Sequence, residues 1–466
     1  MHISEWLSTR PSGEDPFLGA KLVQPFVKAV QDHGVVAVVK HWLDNNQEIY
    51  LQSMTAEVGD RAQHEIYLPV FKAAFDAGAA GVMCAYNKVS WTFACENEKL
   101  LKKVLRDDLG FKGFVVSDWG ATHDGAKSIK AGLDIEMPLG EHFTSLTSAL
   151  WEDPDMQKYI DQAAVHIVSA MHYVGDFDGS FPVKWLPAGL LETQATSDAH
   201  LGVAFNTTIS SAVLLKNEDK TLPFAAKGKT FAMIGKSCGA FTDREDFTLP
   251  EVYDLVQDVR EQSKAKVVVV AAIPGAVEIE WIDDVDAALL LFMPGEQVGP
   301  AVAKMLTGEV SPSGRLPISF PKAGEKRWTQ KPNFSEGTLV GYRWNDAMDI
   351  PSAFPFGYGL AYTTFNYSGF TARCAKDAIL VSGDLTNTGD RDGSVVPQLY
   401  VGFPSLKPVL RQLRGFQKVN LSHGEATRVT FKVKEEDWSY FDEKTDAWCI
   451  SMEVLQSSGS TSSASP

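Results

Sequence analysis

One aspartate, Asp118, stands directly after a run of apolar residues, a position where a carboxylate can do chemistry. The stretch GFVVSDWGATHDG passes from Phe114, Val115 and Val116 to a serine, the aspartate and a tryptophan. An apolar, β-branched run of this length is typical of a strand buried on both faces, so the carboxylate lies where the strand leaves the core. Taken alone, a carboxylate in this position is more often a helix N-cap or a loop acid.

Two further strand ends carry side chains that are able to do chemistry. The run VVAVVKH ends in Lys40 and His41, the run GVMCAYN contains Met83 and Tyr86, and Trp119 follows the aspartate on the third run. Barrels and open α/β sheets place their sites at the carboxyl ends of strands, so three such ends in succession predict one shared mouth. Taken alone, an aromatic residue or a methionine is more often a core residue.

The elements that must position these side chains follow a repeating pattern over the first 140 residues. Short apolar strands alternate with amphipathic stretches of helical length, and LDIEMP (133–138) is a weaker fourth candidate strand. Between the first two strands, DRAQHEIYLPVFKAAFDAG has apolar residues at helical spacing and a closing glycine. This alternation predicts parallel βαβ units with right-handed crossovers.

The rest of the chain divides into two further regions. From about 200 to 325, candidate strands TFAMIGK, KVVVVAAI and AALLLFMP accompany the helical stretch EVYDLVQDVREQSKA and a loop entering a helix, PGEQVGPAVAKML, which predicts a second α/β region. From about 355, short alternating runs separated by the turn signals TGDRDG and SHGE predict an antiparallel sandwich of immunoglobulin type. The tail SSGSTSSASP has low complexity, so we expect it to be disordered.

Composition and charge argue against several classes of protein. The formal net charge of −16 argues against a nucleic-acid partner, which needs clustered Lys and Arg. No window approaches the ~18 apolar residues of a membrane span, and MHISEWLSTR lacks the features of a signal peptide. The five cysteines show no CxxC spacing, which argues against a zinc site. Cys84 and Cys95 either bridge a short loop or remain two buried thiols.

Glycosylation sequons give a weak indication of the compartment, because such tripeptides also arise by chance. The four sequons begin at Asn206, Asn333, Asn366 and Asn420.

Seven motifs, spread in order over nearly the whole chain, together resemble glycoside hydrolase family 3, the β-glucosidase and β-xylosidase family. They are KHWLDNNQE, GVMCAYNKV, GFVVSDWGATHDGAKSIKAGLDIEMP, AVLLKNEDKTLPF, SPSGRLPISFP, FPFGYGLAYTTFNYS and LTNTGDRDGS. The resemblance implies an α/β multidomain protein. The domains it predicts are a partial (β/α)8 barrel at 1–185, an α/β sandwich at 186–330, a linker at 331–354, a fibronectin type III-like β-sandwich at 355–456 and a disordered tail at 457–466.

The same resemblance implies roles for the residues at the strand ends. Asp118 becomes the nucleophile of a retaining double displacement, which needs an ionised carboxylate and a second carboxyl group about 5 Å away. Lys40 would also help to keep a neighbouring acid ionised. The side chains expected to contact the terminal sugar are Lys40, His41, Met83, Tyr86 and Trp119. No metal or organic cofactor is implied, and the expected partner is a β-glucoside substrate rather than nucleic acid or a membrane.

Four other charged residues have structural explanations. Arg61 and Glu65 have the spacing of an ion pair on a surface helix. Asp134 and Glu136 could enter the mouth, but we expect structural roles for both.

Two departures from the family's pattern bear on activity. Only four candidate strands precede the second α/β region, whereas a barrel needs eight, and GEDPFLGA (13–20) resembles a segment from the middle of the barrel. We therefore expect the first half of the barrel, with its sugar-binding aspartate, to be missing. Of a truncated gene model, a pseudoenzyme and a half-barrel completed by a partner chain, the gaps between well-kept motifs favour the first.

The second departure concerns the general acid/base. Placing the family's EG-x-DR segment on Asp243 and Arg244 puts Ala240 where the glutamate would be, and Glu245 is poorly placed to replace it. The acid/base therefore stays unassigned. The sequence predicts an extracellular retaining β-glucosidase acting on terminal non-reducing β-D-glucosyl residues, with activity impaired by these losses. The alternatives are a β-xylosidase of the same family and a catalytically dead carbohydrate-binding protein.

Overall fold

The computed structural model describes residues 13–46, 50–175, 194–224, 249–263, 265–322, 334–403 and 411–450, without the side chains of 249–252. The α-helices are Pro16–Gln31, Asp60–Ala62, Leu68–Asp76, Gly125–Ala131, Leu146–Glu152, Met156–Tyr173, Asp198–Ser211, Leu249–Gln262, Val298–Leu306 and Tyr342–Met348. The π-helical segments are Gln63–Tyr67 and Lys99–Asp108, and the 3₁₀ turns are Ala94–Glu96, Phe143–Ser145, Glu218–Lys220, Glu280–Asp284 and Glu435–Trp438.

Within the described residues, the strands fall into seven small sheets. In chain order they are Val38–Trp42, Thr55–Ala56, Gly81–Cys84, Lys88–Val89, Thr92–Phe93, Phe114–Ser117, Val213–Asn217, Val268–Ala272, Ala287–Leu291, Phe365–Ala375, Ala378–Asn387, Gly393–Val395, Gln398–Gly402, Arg411–Phe416, Val419–Leu421, Ala426–Lys434, Ser439–Asp442 and Ala447–Ile450. The chain divides into two compact units. The first is 1–193 with 327–344 and 440–449, and the second is 194–326 with 345–439 and 450–466.

A three-stranded parallel sheet organises the first unit. Its order is Val38–Trp42, Gly81–Cys84, Phe114–Ser117, which confirms three of the strands that the sequence predicts. All four residues of the central strand are buried, as expected for a strand covered on both faces. The fourth prediction, LDIEMP, is wrong as a strand: within it only Ile135 makes an isolated bridge, to Val116.

Helices and aromatic side chains cover this sheet. The predicted helix between the first two strands is confirmed, running from Asp60 to Asp76 with a π-helical turn inside it. Trp42 is fully buried and meets the ring of Phe71 edge-on at 5.1 Å between centroids. The burial pattern is irregular after Val39: Val39 and Trp42 are buried, whereas Lys40 and His41 between them are half-buried, and the pairing with Gly81–Cys84 shifts in register over this segment.

The approach of the third strand depends on a glycine. A Cβ atom at Gly113 would lie 2.1 Å from the carbonyl oxygen of Ala80, far inside contact distance. Since Phe114 N–H bonds that same carbonyl oxygen at 3.2 Å, any larger residue at 113 would push apart the two strands beside it.

A buried ion pair fixes a distant segment to the first helix of the first unit. Arg343 lies 2.7 Å from Oδ2 of Asp15, and both side chains are almost completely buried. Oδ1 of Asp15 also accepts from the N–H of Leu18, so the same carboxylate caps the helix Pro16–Gln31.

The hairpin at residues 439–450 also contributes to the first unit, through residues 440–449. The Phe441 N–H donates to Oε1 of Glu65 at 2.9 Å, and the Phe441 ring stacks on that of His64 at 3.8 Å. The predicted Arg61–Glu65 ion pair is present at 2.8 Å. Its description as a surface pair is wrong, because the Glu65 side chain is only 9% exposed beneath this hairpin.

The second unit has its own mixed sheet. Ala287–Leu291 is the fully buried central strand, parallel to Val268–Ala272 and antiparallel to Val213–Asn217. The predicted strands KVVVVAAI and AALLLFMP and both predicted helices are confirmed, whereas TFAMIGK lies outside the described residues.

Antiparallel strands of the kind predicted for a β-sandwich are also present in the second unit. Phe365–Ala375, Ala378–Asn387 and Ala426–Lys434 form an antiparallel sheet, accompanied by short two-stranded sheets. Leu385, Val395, Leu421 and Val429 form part of its apolar core. The predicted domain boundaries and the partial barrel stay predictions, and the tail lies outside the described residues.

Among the described helices, none is both long and apolar enough to cross a bilayer.

Candidate active site

Backbone hydrogen bonds bring the three strand ends of the first unit together. The N–H of Ala85 donates to the carbonyl oxygen of Trp42 at 2.7 Å, and the N–H of Asp118 donates to that of Cys84 at 3.1 Å. The ladder of the sheet therefore extends past the strands themselves. It holds the segments bearing His41, Tyr86 and Asp118 side by side, as the sequence predicts for a shared mouth.

Asp118 is the anionic centre of this site. Its side chain is 9% exposed, Oδ2 lies 3.0 Å from Nε2 of His41, and Oδ1 accepts from the N–H of Trp119 at 2.8 Å. Burial alone would raise the pKa of Asp118, but the hydrogen bonds from His41 and Trp119 and the positive charge of Lys40 together hold it below its usual range. The carboxylate is therefore ionised and oriented, as a nucleophile must be.

Tyr86 contacts both Asp118 and the residue that follows it. Its hydroxyl donates to the carbonyl oxygen of Trp119 at 3.0 Å. Burial, the negative charge of Asp118 and a hydrogen bond with that carboxylate raise the pKa of Tyr86 to about 12. Tyr86 is thus a neutral donor at the edge of the site.

The other two predicted sugar-contacting residues have different surroundings. Trp119 is 46% exposed, an uncommon position for a large aromatic side chain and one that leaves its ring accessible. Met83 is 2% exposed and pairs in register with Val116 in the sheet. The roles assigned to Lys40, His41, Met83, Tyr86, Trp119 and Asp118 remain predictions, although the contacts place His41, Tyr86 and Trp119 around the carboxylate.

A disulfide fixes the segment that carries Tyr86. Cys84 and Cys95 are bonded, with their Cα atoms 5.3 Å apart, so the first of the two alternatives left by the sequence is correct. Both cysteines are fully buried. The bridge closes the loop that runs from the central strand through Tyr86 to the turn at Ala94–Glu96.

The structural roles expected for two nearby acids are confirmed. Glu136 accepts from the N–H groups of His142 and Phe143, which ties it to the turn that follows. Asp134 accepts from the N–H of Val115 and pairs with Arg106 at 2.9 Å.

Sequence reasoning overlooked Asp44, two residues beyond the first strand. Its side chain is buried, and burial, opposed by a hydrogen bond from Gln63, raises the pKa of Asp44 to about 7. Asp44 lies within the quoted motif KHWLDNNQE. An acidic residue so close to the end of an apolar strand could have indicated a functional or supporting role for Asp44.

The segment proposed for the acid/base, including Ala240, Asp243, Arg244 and Glu245, lies outside the described residues.

Comparison with known proteins decides the family. Residues 1–170 match the glycosyl hydrolase family 3 N-terminal domain, 237–362 match the family 3 C-terminal domain, and 395–456 match a fibronectin type III-like domain. The probable β-glucosidase L of Aspergillus fumigatus is 30% identical, covering 94% of this chain and 76% of that protein. The chain belongs to glycosyl hydrolase family 3. It is therefore a glycoside hydrolase by family.

Solved family 3 structures resemble this one closely. The β-glucosidase of Chaetomella raphigera superposes with a TM-score of 0.83 at 28% identity, covering 98% of this chain and 82% of that one. β-Glucosidase 3B of Thermotoga neapolitana, solved in complex with α-D-glucose, gives a TM-score of 0.77 at 26% identity, with 94% and 78% covered. The alignment with the Aspergillus protein spans 567 positions against 466 residues here, so that family member has internal segments without a counterpart in this chain.

Proposed function

We propose that this family 3 protein is a retaining β-glucosidase that hydrolyses terminal non-reducing β-D-glucosyl residues, with Asp118 as its nucleophile. The observation that carries the proposal is the ionised, hydrogen-bonded carboxylate of Asp118 at a shared strand end. An exposed Trp119 ring and the neutral hydroxyl of Tyr86 lie beside it, as suits a site for the apolar face and hydroxyl groups of a sugar.

The chemistry proceeds in two displacements. An oxygen of Asp118 bonds to the anomeric carbon while the bond from that carbon to the glycosidic oxygen breaks, and the leaving oxygen takes a proton from a general acid. Water then attacks the anomeric carbon, loses a proton and releases the carboxylate, so the sugar leaves with its original configuration. The side chains identified beside Asp118 are His41 and Lys40, neither of which is a carboxyl group, and the general acid is unassigned.

Substrates with different leaving groups distinguish the contribution of the nucleophile from that of the unassigned general acid. We expect 2,4-dinitrophenyl β-glucoside, whose leaving group needs no proton, to be cleaved at least about 100-fold faster than methyl β-glucoside, because general acid catalysis is worth about 10² to 10⁴ in rate. Asp118→Ala should abolish both reactions. Asp161→Ala, which removes an exposed carboxylate from the helix Met156–Tyr173, is the matched control and should retain wild-type rates.

Stereochemistry and trapping test the retaining mechanism directly. Proton NMR of early product should show β-glucose before mutarotation, and a 2-fluoro glucosyl fluoride should label Asp118, detected by peptide mass spectrometry. Initial α-glucose, or unchanged turnover in Asp118→Ala, would refute the assignment.

A catalytically dead carbohydrate-binding protein is the second candidate, favoured by the alignment of Ala240 with the family's acid/base position. It predicts that glucose or an aryl thioglucoside binds, measured by calorimetry, with no release of dinitrophenolate by a folded chain.

A family 3 β-xylosidase is the third candidate. It predicts a higher kcat/KM for p-nitrophenyl β-xyloside than for p-nitrophenyl β-glucoside, whereas a β-glucosidase predicts the reverse.

We also propose that the protein is extracellular and glycosylated. The buried disulfide between Cys84 and Cys95 supports an oxidising compartment. The asparagines of three sequons, Asn206, Asn366 and Asn420, are exposed, and Asn333 lies outside the described residues. Expression in a secreting host, followed by glycosidase treatment and a mass shift on gels, tests this; an unchanged mass would contradict it.

A further inference from the structure

A small cavity is lined in part by His41. The other lining residues include Asp44, Asn45 and Tyr67, with Phe71 as an apolar wall. The cavity measures about 10 Å³, which is close to the space that one water molecule requires. His41 therefore both lines this cavity and contacts the carboxylate of Asp118.

The cavity contains polar atoms that lack partners. Oδ1 of Asp44 accepts from Nε2 of Gln63 at 3.1 Å, but Oδ2 of Asp44 has no hydrogen-bond partner among the described residues. The same is true of Oδ1 of Asn45. Asp44 is only 2% exposed, and an unsatisfied buried polar atom costs about 1–3 kcal/mol. Such a cost is normally removed by a bound water with several polar partners.

The protonation state of Asp44 determines how it would use that water. Burial raises the pKa of Asp44 to about 7, so at acidic pH the group is a neutral carboxyl with a proton to donate. The other titratable side chains bordering the cavity are His41 and Tyr67, and Glu336 acts on Tyr67 from the segment 334–340. Burial raises the pKa of Tyr67, which therefore stays a neutral phenol.

His41 needs a fixed tautomer for its contact with Asp118. Its Nε2 atom lies 3.0 Å from the carboxylate and must carry the proton to donate to it. In the neutral ring, Nδ1 is then an acceptor, and the hydrogen bond at one ring nitrogen determines which nitrogen is protonated.

We propose that Asp44 is a positioning residue for the nucleophile, acting through one water molecule in this cavity that donates to Nδ1 of His41. The Asp44 carboxyl donates to the water, the water donates to Nδ1, and Nε2–H donates to Asp118. This arrangement fixes the orientation and the tautomer of the His41 ring. The ring in turn keeps the attacking oxygen of Asp118 in place. This inference rests on the proposed role of Asp118 and assigns it a supporting residue three positions beyond His41.

Two substitutions distinguish positioning from packing. Asp44→Leu keeps the number and branching of the side-chain heavy atoms and removes the donor, whereas Asp44→Asn keeps a donor and an acceptor. A packing role predicts that leucine is neutral or stabilising, since it replaces an unsatisfied buried group with an apolar one, and that activity is unchanged. The proposal predicts a kcat for dinitrophenyl β-glucoside at pH 6.5 reduced at least about 10-fold in Asp44→Leu, with KM within about 2-fold, and a kcat within about 3-fold of wild type in Asp44→Asn.

A readout independent of turnover keeps the proposal testable if the chain hydrolyses nothing. The ¹⁵N shifts of ring-labelled histidine, with the His41 signals assigned by their loss in His41→Gln, should report a single Nε2–H tautomer in wild type and Asp44→Asn. Asp44→Leu should show a tautomer mixture. Unchanged His41 shifts in a folded Asp44→Leu variant would overturn the inference even if the proposed hydrolysis is observed. Altered shifts without hydrolysis would uphold the inference and refute the proposed function.

Discussion

Nε2 of His41 lies 3.0 Å from Oδ2 of Asp118, although the two residues stand at the ends of different strands and the whole central strand separates them in the chain. The pairing of Gly81–Cys84 with Phe114–Ser117 is regular, whereas the pairing of Val38–Trp42 with Gly81–Cys84 shifts in register between Val39 and Trp42, the segment that carries His41. This sheet brings to Asp118 a side chain whose hydrogen bond lowers the pKa of that carboxyl group.

Replacing His41 by leucine should move the acid limb of the kcat/KM profile to higher pH. The hydrogen bond from His41 lowers the pKa of Asp118, while burial raises it, so the loss of that hydrogen bond leaves the effect of burial less opposed. We also expect a roughly 10-fold fall in kcat, since a hydrogen bond to a charged group is worth about 1.5–3 kcal/mol. Rates with an aryl glucoside between pH 3 and 8 measure both effects, and an acid limb that does not move would contradict the assignment.

Asp44 should make stability fall as the pH rises. Its pKa in the folded chain, about 7, exceeds the unfolded value near 4, so between these values the folded chain holds a proton that the unfolded chain has lost. The free energy of unfolding therefore decreases across this range, by an amount on the order of 4 kcal/mol from this group. Urea unfolding at pH 4 and pH 8 should show a smaller decrease in Asp44→Asn than in wild type; equal decreases would contradict it.

Asp15→Asn should destabilise the first unit by about 3–5 kcal/mol, because it leaves the buried Arg343 without its counter-charge. Asparagine is also a good helix N-cap, so the variant removes the charge but retains a cap for Pro16–Gln31. The double variant Asp15→Asn with Arg343→Met should recover part of the loss in denaturant unfolding. A double variant no more stable than the single one would show that the ion pair is not the cause.

Removing the disulfide with Cys84→Ala and Cys95→Ala together should cost about 2–3 kcal/mol, as expected for a short closed loop. Cys374→Ala, at an exposed free cysteine, is the control and should change stability little. Thermal melting of the three proteins measures the difference. Equal melting temperatures for the wild type and the double variant would mean that the bridge contributes nothing to the fold.

Three strands of the first unit could be predicted because each is a short run of mostly apolar residues, and the central one, Gly81–Cys84, is buried throughout. The runs ending at His41 and Asp118 needed only an apolar pattern and the rule that sites gather at strand ends. LDIEMP failed because its charged Asp134 and Glu136 satisfy backbone N–H groups of neighbouring segments instead of alternating across a sheet.

Other features depend on contacts between distant residues, which local patterns do not encode. The burial of Glu65 follows from the hairpin that covers it, and the raised pKa of Asp44 follows from packing around the turn beyond the first strand. The disulfide was one of two open alternatives, since spacing alone does not fix the geometry that a bridge requires.

The hairpin on His64 and Glu65 has a consequence for the order in which the protein matures during synthesis. Residues 440–449 complete a unit whose other segments leave the ribosome hundreds of residues earlier. The first unit therefore waits, with Glu65 exposed and His64 unstacked, until residues 440–449 have been translated. Contacts so distant in sequence are slow to form, and an incomplete unit is open to aggregation in the meantime, so a nascent chain of this protein is a natural client for chaperones.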